Sequence, residues 1–263
     1  MATHCFPALG PSLAVYDPGD RCGATRCLRS TRLAAPVAGA LFDMGGVLYD
    51  DTVWRRWLLR LLSQLGLHTH YRSFFRVWDR EYLVRVQRGE SSFVEVFRNF
   101  LLAVGLRQAQ IDEVEAACQA RRRDQESQIR ALPGVKSTLS RLRQAGMVLA
   151  ALTNSEYAAE ILAQRLERIG LGSLFTVVVS SFDLSRTKPD PLCYQTVLRG
   201  MRMAAADVAF VGHDTEELLG ATAVGMPTVA VNFDHDAQAD AFVARFEQLL
   251  EVLEVRRPYA AAG

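Results

Sequence analysis

Apolar positions along this chain fall into two rhythms. From about residue 51 to 130 they recur at helical spacing. Trp54, Trp57, Leu58, Leu61, Leu62 and Leu65 share one face before Gly66. Phe74, Phe75, Trp78, Tyr82 and Val86 repeat the pattern and end near Gly89. Phe93, Val96, Phe97, Phe100, Leu101 and Val104 form a third set ending at Gly105, and Ile111, Val114, Ala117 and Cys118 a fourth. No strand pattern intrudes, so the spacing predicts an all-helical block over 51–130.

Outside that block the rhythm changes. A short apolar run, Ala38 to Phe42, stops at Asp43 and the turn-forming pair Gly45-Gly46, which reads as a buried strand. After Pro133-Gly134, predicted helices at Val135–Ala145, Glu156–Ile169, beyond Pro191, Glu216–Val224 and from about Ala237 to Leu253 alternate with apolar runs. Those runs are Met147–Leu152, Leu174–Val179, Val208–Val211 and Pro227–Val231. Continuous apolar strands separated by helices predict a parallel sheet covered on both faces, a doubly wound, Rossmann-like α/β architecture. Three segments are therefore expected: a flexible tail over 1–37, an α/β core made of 38–50 and 131–263, and the helical block as an insertion after the first strand.

Composition narrows the class further. At 263 residues, one core with an insertion fits the usual domain size. A hydrophobic fraction of 49% and a charged fraction of 22% are those of an ordinary globular protein. The net charge of +1 gives no global field to draw in nucleic acid or an anionic membrane. No apolar run approaches the roughly 18 residues of a membrane span. Five cysteines, three of them in the first 27 residues, make neither disulfide pairs nor zinc-type pairs, so reduced thiols and a cytoplasmic setting are expected. The 30 basic residues include only two lysines, Lys136 and Lys188. A chain that writes Arg wherever it needs positive charge draws attention to Lys188, although a lysine before proline is ordinarily a surface residue.

In open α/β sheets, ligands bind at the carboxyl ends of the strands. The residues there are Asp43, then Thr153-Asn154, the loop carrying Lys188, and Gly212-His213-Asp214 with Glu216-Glu217. A carboxylate at a strand end can act as a nucleophile. Facing acids make an oxygen-rich site for Mg²⁺. A hydroxyl, an amide and an ammonium together can hold a phosphate and its transition-state charge.

These residues resemble the four motifs of the haloacid dehalogenase-like (HAD) superfamily. Phe42-Asp43-Met44-Gly45-Gly46-Val47-Leu48 is similar to the first, Leu152-Thr153-Asn154 to the second, Lys188-Pro189-Asp190-Pro191 with Tyr194 to the third, and Val211-Gly212-His213-Asp214 through Glu217 to the fourth. The resemblance covers about residues 38–235, and the helical block then looks like the superfamily's cap domain. It implies a hydrolase in which Asp43 is the nucleophile, Thr153 binds the transferred group, and Lys188 bridges Asp43 and substrate. Asn154 and Gly46 would lie on the substrate. Asp43, Asp214 and the Gly45 carbonyl would bind Mg²⁺, with His213 and Glu217 as further candidates. The partner would be a small phosphorylated or halogenated metabolite, with neither nucleic acid nor membrane involved, and the protein a monomer or homodimer.

Two departures bear on the reaction. Phosphatases resembling this pattern usually carry a second Asp two residues after the nucleophile, to protonate the leaving group and activate water. Here that position is Gly45. His213 stands where an acid often begins the fourth motif; it could serve as a base or as a hydrogen-bonding neighbour. Asp50 or Asp51 could replace the missing acid if the chain folds back, although Asp51 also suits a hinge or a helix N-cap. Thr153-Asn154-Ser155 could likewise cap the next helix, and Arg121-Arg122-Arg123 reads as a solvated face that could steer an anion. An Mg²⁺-dependent phosphatase acting on a small phosphate ester through phospho-Asp43 is the leading expectation. Carbon attack as in 2-haloacid dehalogenation, and a catalytically weak binding protein, are the alternatives.

Overall fold

The computed structural model describes residues 32–233 and 236–253, apart from the side chains at 122, 123 and 125. Residues 1–31 of the expected tail, and the side chains of Arg122 and Arg123, lie outside that description; Arg121 is exposed, with its guanidinium 5.3 Å from the centre of the Trp57 ring.

Six strands form one parallel sheet: β1 (Gly39–Phe42), β2 (Val148–Thr153), β3 (Val177–Ser180), β4 (Val208–Gly212), β5 (Thr228–Val231) and β6 (Ala241–Val243). Their order is β3-β2-β1-β4-β5-β6. The order reverses between β1 and β4, and that switch point is where such sheets open a ligand crevice at their carboxyl ends. In register, Phe42 lies opposite Ala151 on one side and Val211 on the other. The residues that follow these three strands therefore emerge side by side.

Between β1 and β2 the chain is helical. It runs through α1 (Thr52–Gln64), α2 (Tyr71–Val77), a π-helical turn (Trp78–Leu83), α3 (Val84–Gln87), α4 (Phe93–Ala103) and α5 (Gln108–Gln128). The predicted apolar faces meet in one cluster built on Leu58, Leu62, Phe74, Trp78, Phe100 and Ile111, all buried. Ser92 caps α4 by accepting the Glu95 N–H at 3.2 Å.

The remaining helices cover the sheet: α6 (Val135–Gln144), α7 (Ala159–Arg168), α8 (Ser181–Leu184), α9 (Pro191–Met201), α10 (Thr215–Ala223) and α11 (Leu249–Val252). One buried cluster packs α6, α7 and the C-terminal segment against one face, and a second packs α9 and α10 against the other. Each β1 residue is fully buried, which accounts for its unbroken apolar run.

The structure corrects the sequence reading at three boundaries. The segment 237–253 is not one helix: Ala241–Val243 pairs with β5 as an edge strand, and only short helical turns follow from Phe246. The strand predicted from Leu174 begins at Val177, because Gly172–Leu174 forms a 3₁₀ turn. The helix predicted from Glu156 begins at Ala159, since Ser155 Oγ first accepts the Tyr157 N–H at 3.2 Å and closes a turn. Among the described residues, no helix is long and apolar enough to cross a membrane.

Candidate active site

The carboxyl ends of β1, β2 and β4 bring Asp43, Thr153, Asn154, His213 and Asp214 to one rim, and the α8–α9 loop adds Lys188. Asp43 follows β1 directly; its N–H donates to the Val211 carbonyl at 3.0 Å and extends the ladder by one residue. This fixes the carboxylate over the switch point.

Lys188 is buried, not on the surface. Its Nζ donates to Asp43 Oδ1 and to Glu217 Oε2, both at 2.6 Å, and lies 5.6 Å from the centre of the Phe210 ring. Asn154 holds the loop that delivers it. The Asn154 Oδ1 accepts the Lys188 N–H at 2.8 Å, and its Nδ2 donates to the Lys188 carbonyl and to Glu217 Oε1, each at 3.2 Å. The amide hydrogens and one oxygen lone pair are turned toward Lys188 and Glu217.

The fourth-motif segment is locked by α10. Asp214 is its N-cap and accepts the Glu217 N–H at 3.0 Å through Oδ1. The Tyr194 hydroxyl donates to the Glu217 carbonyl at 2.7 Å. Helix and loop approach so closely that a Cβ on Gly220 would lie 2.6 Å from Pro189 Cβ and 3.0 Å from its carbonyl oxygen. Any larger residue there would push α10 away from Lys188.

The electrostatics follow from one ammonium shared by two buried acids. Burial alone would raise the Asp43 pKa, but Lys188 and His213 outweigh it and hold the carboxyl well below its ordinary range. Glu217 receives less of that help: burial and the neighbouring Asp43 and Asp214 push it up to about 7 despite Lys188. Lys188 itself is raised by its two carboxylates against its burial. His213 Nε2 lies 3.4 Å from Asp43 Oδ2. Burial would lower its pKa, yet Asp43, then Glu217 and Asp51, raise it to about 8. Asp43 thus stays an anion, with an ammonium at one oxygen and an imidazole, largely protonated at neutral pH, at the other.

Thr153, the last residue of β2, is 6% exposed and lies one residue beyond the level of Asp43 on the neighbouring strand. Gly46 has φ +71, its N–H donates to the Tyr49 carbonyl at 2.9 Å and its carbonyl accepts Asn232 Nδ2 at 2.9 Å. Both of its backbone groups are engaged, so it offers room rather than a hydrogen bond; a Cβ there would reach 3.4 Å from His213 Nε2.

Among the described residues, no three His, Cys, Asp or Glu side chains form a ready cage for a metal. Mg²⁺ does not need one: it takes one or two carboxylates and fills the rest of its octahedron with waters and substrate phosphate. The carboxylates of Asp43 and Asp214 at this rim are of the kind such an ion takes, although one Asp214 oxygen already accepts the Glu217 N–H. Asp43 and Asp214 crowd Glu217 enough to help push it up despite Lys188, so a phosphate anion entering here would be favoured by a further positive charge.

Sequence reasoning missed the contacts made by the helical segment above this rim. Gln87 Nε2 donates to the Asn154 carbonyl at 3.4 Å, Ser181 Oγ to the Gln87 carbonyl at 2.8 Å, and Arg88 Nη2 to Thr187 Oγ1 at 3.2 Å. The pairing of Glu217 with Lys188 was equally hidden. None of these had a local signal, because each joins residues far apart in the chain.

Comparison with known proteins gives a consistent result. A family model described as haloacid dehalogenase-like hydrolase matches residues 40–231. A phosphoglycolate phosphatase of Xanthomonas campestris is 34% identical over 134 residues, 48% of this chain; the chain spans only 59% of that relative's length. A phosphoglycolate phosphatase of Yersinia pseudotuberculosis is 26% identical over 227 residues, covering 82% of this chain and 93% of that one. A crystal structure described as a putative β-phosphoglucomutase from Thermotoga maritima superposes with a TM-score of 0.62 at 20% identity, covering 82% of this chain and 97% of that one, and shares the fold.

Proposed function

This chain belongs to the haloacid dehalogenase-like hydrolase family, and from that premise we propose that it is an Mg²⁺-dependent phosphatase acting on a small phosphate ester. The observation that carries the reading is the buried Asp43 carboxylate, held ionised by Lys188 at 2.6 Å at the switch point of the sheet. A carboxylate held ionised at neutral pH is available to attack phosphorus. The names of the Xanthomonas and Yersinia relatives support a phosphate monoester, and make phosphoglycolate the first substrate to try.

In this reading an Asp43 oxygen forms a bond to phosphorus as the ester P–O bond breaks, and water then attacks the phospho-Asp43 at phosphorus to release inorganic phosphate. Lys188 holds Asp43 in place and meets the transferring oxygens, with Thr153 as the hydroxyl donor beside it. Asn154 positions Lys188 through its bonds to the lysine backbone and Glu217. Asp43, Asp214 and the Gly45 carbonyl would hold Mg²⁺, which when bound neutralises charge between the nucleophile and the anionic substrate. The helical block over 51–130 acts as the cap that selects substrate, on a core made of the flanking segments. The setting is cytoplasmic and the partner a small metabolite.

The test is phosphate release from a panel of esters that includes phosphoglycolate, with Mg²⁺ and with chelator. We expect metal-dependent release that Asp43→Asn abolishes. Release that survives Asp43→Asn would sink the mechanism. Gly45 favours a second reading, attack on carbon with loss of halide, since a halide needs no proton. Halide release from a 2-haloacid without Mg²⁺, and no phosphate from any ester, would establish it.

A further inference from the structure

An alkoxide leaving phosphorus needs a proton, and the water that follows needs a base. Gly45 has no side chain to do either. The chain, however, turns back on itself after Asp43. The Met44 carbonyl accepts the Leu48 N–H at 2.8 Å, and the Gly46 N–H donates to the Tyr49 carbonyl at 2.9 Å. This tight turn returns residue 51 to residue 45. A Cβ built on Gly45 would lie 2.9 Å from Asp51 Oδ2 and 3.3 Å from its carboxyl carbon. The space that a side chain at 45 would enter is already held by a carboxylate.

The two acids after the turn are not equivalent. Asp50 Oδ1 accepts the Thr52 N–H at 2.8 Å and the Thr52 hydroxyl at 2.5 Å, so it fastens the start of α1. Asp51 occupies the N-cap position of α1 but makes no capping bond with its side chain. It is exposed, and its charge is felt at His213 and Tyr49. A residue at an N-cap that leaves the helix N–H groups unserved has its carboxylate directed elsewhere, here over Gly45.

We propose that Asp51 is the proton-transferring carboxyl of this site, brought in from the cap side of the turn in place of a side chain at Gly45. The inference rests on the phosphatase reading. In the first step the Asp51 carboxylic acid gives its proton to the leaving ester oxygen as the Asp43 O–P bond forms and the ester P–O bond breaks. In the second, the Asp51 carboxylate takes a proton from water as the water oxygen bonds to phosphorus and the Asp43 O–P bond breaks. Both carboxylates end as they began. A side chain at position 45 would meet the Asp51 carboxylate, and Asp51 would have to turn aside to make room for it.

The test compares wild type, Asp51→Asn and Asp43→Asn on two substrates: an alkyl phosphate, which needs a proton at its leaving oxygen, and p-nitrophenyl phosphate, which does not. Asp51→Asn is expected to lower turnover of the alkyl ester by about 10²–10⁴-fold, the usual contribution of general acid–base catalysis. With the nitrophenyl ester it is expected to release one burst of nitrophenol per enzyme and then stall, with a phosphoryl group on Asp43 detectable in the intact mass. A merely structural role for Asp51 would produce no such trapped species. The double variant Gly45→Asp/Asp51→Gly moves the carboxylate to the other residue, and is expected to recover at least about tenfold over Asp51→Gly. That comparison decides the matter even if Asp51→Asn folds poorly. Full alkyl-ester turnover in a folded Asp51→Asn, while Asp43→Asn is dead, overturns the inference and leaves the phosphatase reading standing. No phosphate from wild type on either ester overturns both.

Discussion

Lys188 is one cation serving two buried acids, and that arithmetic makes the site asymmetric to mutation. Its side chain is fully buried, and the side chains of Asp43 and Glu217 are only 8% and 13% exposed. Replacing Lys188 with Met leaves two carboxylates buried without their ammonium, and breaking a buried pair this way costs about 3–5 kcal/mol. Asp43→Asn, by contrast, leaves Lys188 paired with Glu217, and should cost much less. Urea unfolding in chelator should show the difference, and equal losses would contradict the shared-lysine picture. The sign of the pH dependence is fixed too. Asp43 has a depressed native pKa, so its stabilising contribution is present above its ordinary value of 3.8 and is lost as pH falls through the native one. In Lys188→Met the acids must instead take up protons to stay buried, so the variant loses stability as pH rises. The gap between the two proteins should therefore widen above about pH 4. The rarity of lysine in this chain made Lys188 conspicuous in the sequence, and the ends of apolar runs pointed to Asp43, Thr153 and Asp214. The sequence offered Asp51 as a replacement acid only on condition that the chain folds back, and it left the contacts of Asn154 and Glu217 with Lys188 open. Each depends on a contact closed by the fold, and for Asp51 on a tight turn whose return path the residues alone leave open.

At the scale of elements, periodicity succeeded where runs were long. The four helical sets over 51–130 and the central strands appear as expected, because a dozen residues of one period outweigh local exceptions. It failed at β6. That strand has three residues, too few for alternation to register, and Phe246, Leu249, Val252 and Leu253 follow at helical spacing and dominate the window. What makes β6 a strand is tertiary. Asp240 Oδ2 accepts the Thr228 N–H at 2.8 Å and the Thr228 hydroxyl at 3.0 Å, and its own N–H donates back to that hydroxyl at 3.1 Å. This reciprocal lock sets the register in which Val229 lies opposite Ala241. Thr228 is fully buried, so removing the carboxylate leaves its N–H without a partner and costs about 1–3 kcal/mol. Asp240→Ala should lower the unfolding free energy by that amount, seen as a lower urea midpoint, and speed amide exchange in β6, whereas Asp240→Asn, which keeps an acceptor, should lose little. An unchanged midpoint in Asp240→Ala would mean that β6 is held by packing alone.

For the whole molecule, what matters is how the helical block is joined to the sheet. Its buried cluster shares no residue with the two that flank the sheet. The chain crosses between them twice, and the crossings are tied together where the Leu132 N–H donates to the Leu48 carbonyl at 2.9 Å and Tyr49 bridges Ala131. Over the rim, among the described residues, polar contacts join Gln87 to Asn154, Ser181 to Gln87 and Arg88 to Thr187, the Phe182 ring lies against Gly89, and an exposed Arg80–Glu216 pair stands at 3.2 Å. Exposed pairs of this kind contribute about 0–1 kcal/mol each. Arg165 makes a further tie, joining Glu126 near the end of α5 to the Tyr49 hydroxyl, but it sits at the crossing and would act as a pivot rather than a latch. Two apolar cores joined by a pivot and a few weak contacts should separate at lower cost than either core unfolds. A substrate must also reach Asp43, which is 6% exposed, so some opening along this seam is required for turnover. Native-state hydrogen exchange across a urea series checks both points. Amides of α1 and α4 should exchange through an opening of lower free energy and smaller denaturant slope than those of β1 and β4. If all four elements merged into a single global transition at every urea concentration, the division near residues 50 and 131 would not be a division between separately cooperative units, and access to Asp43 would have to come from motion within the rim itself.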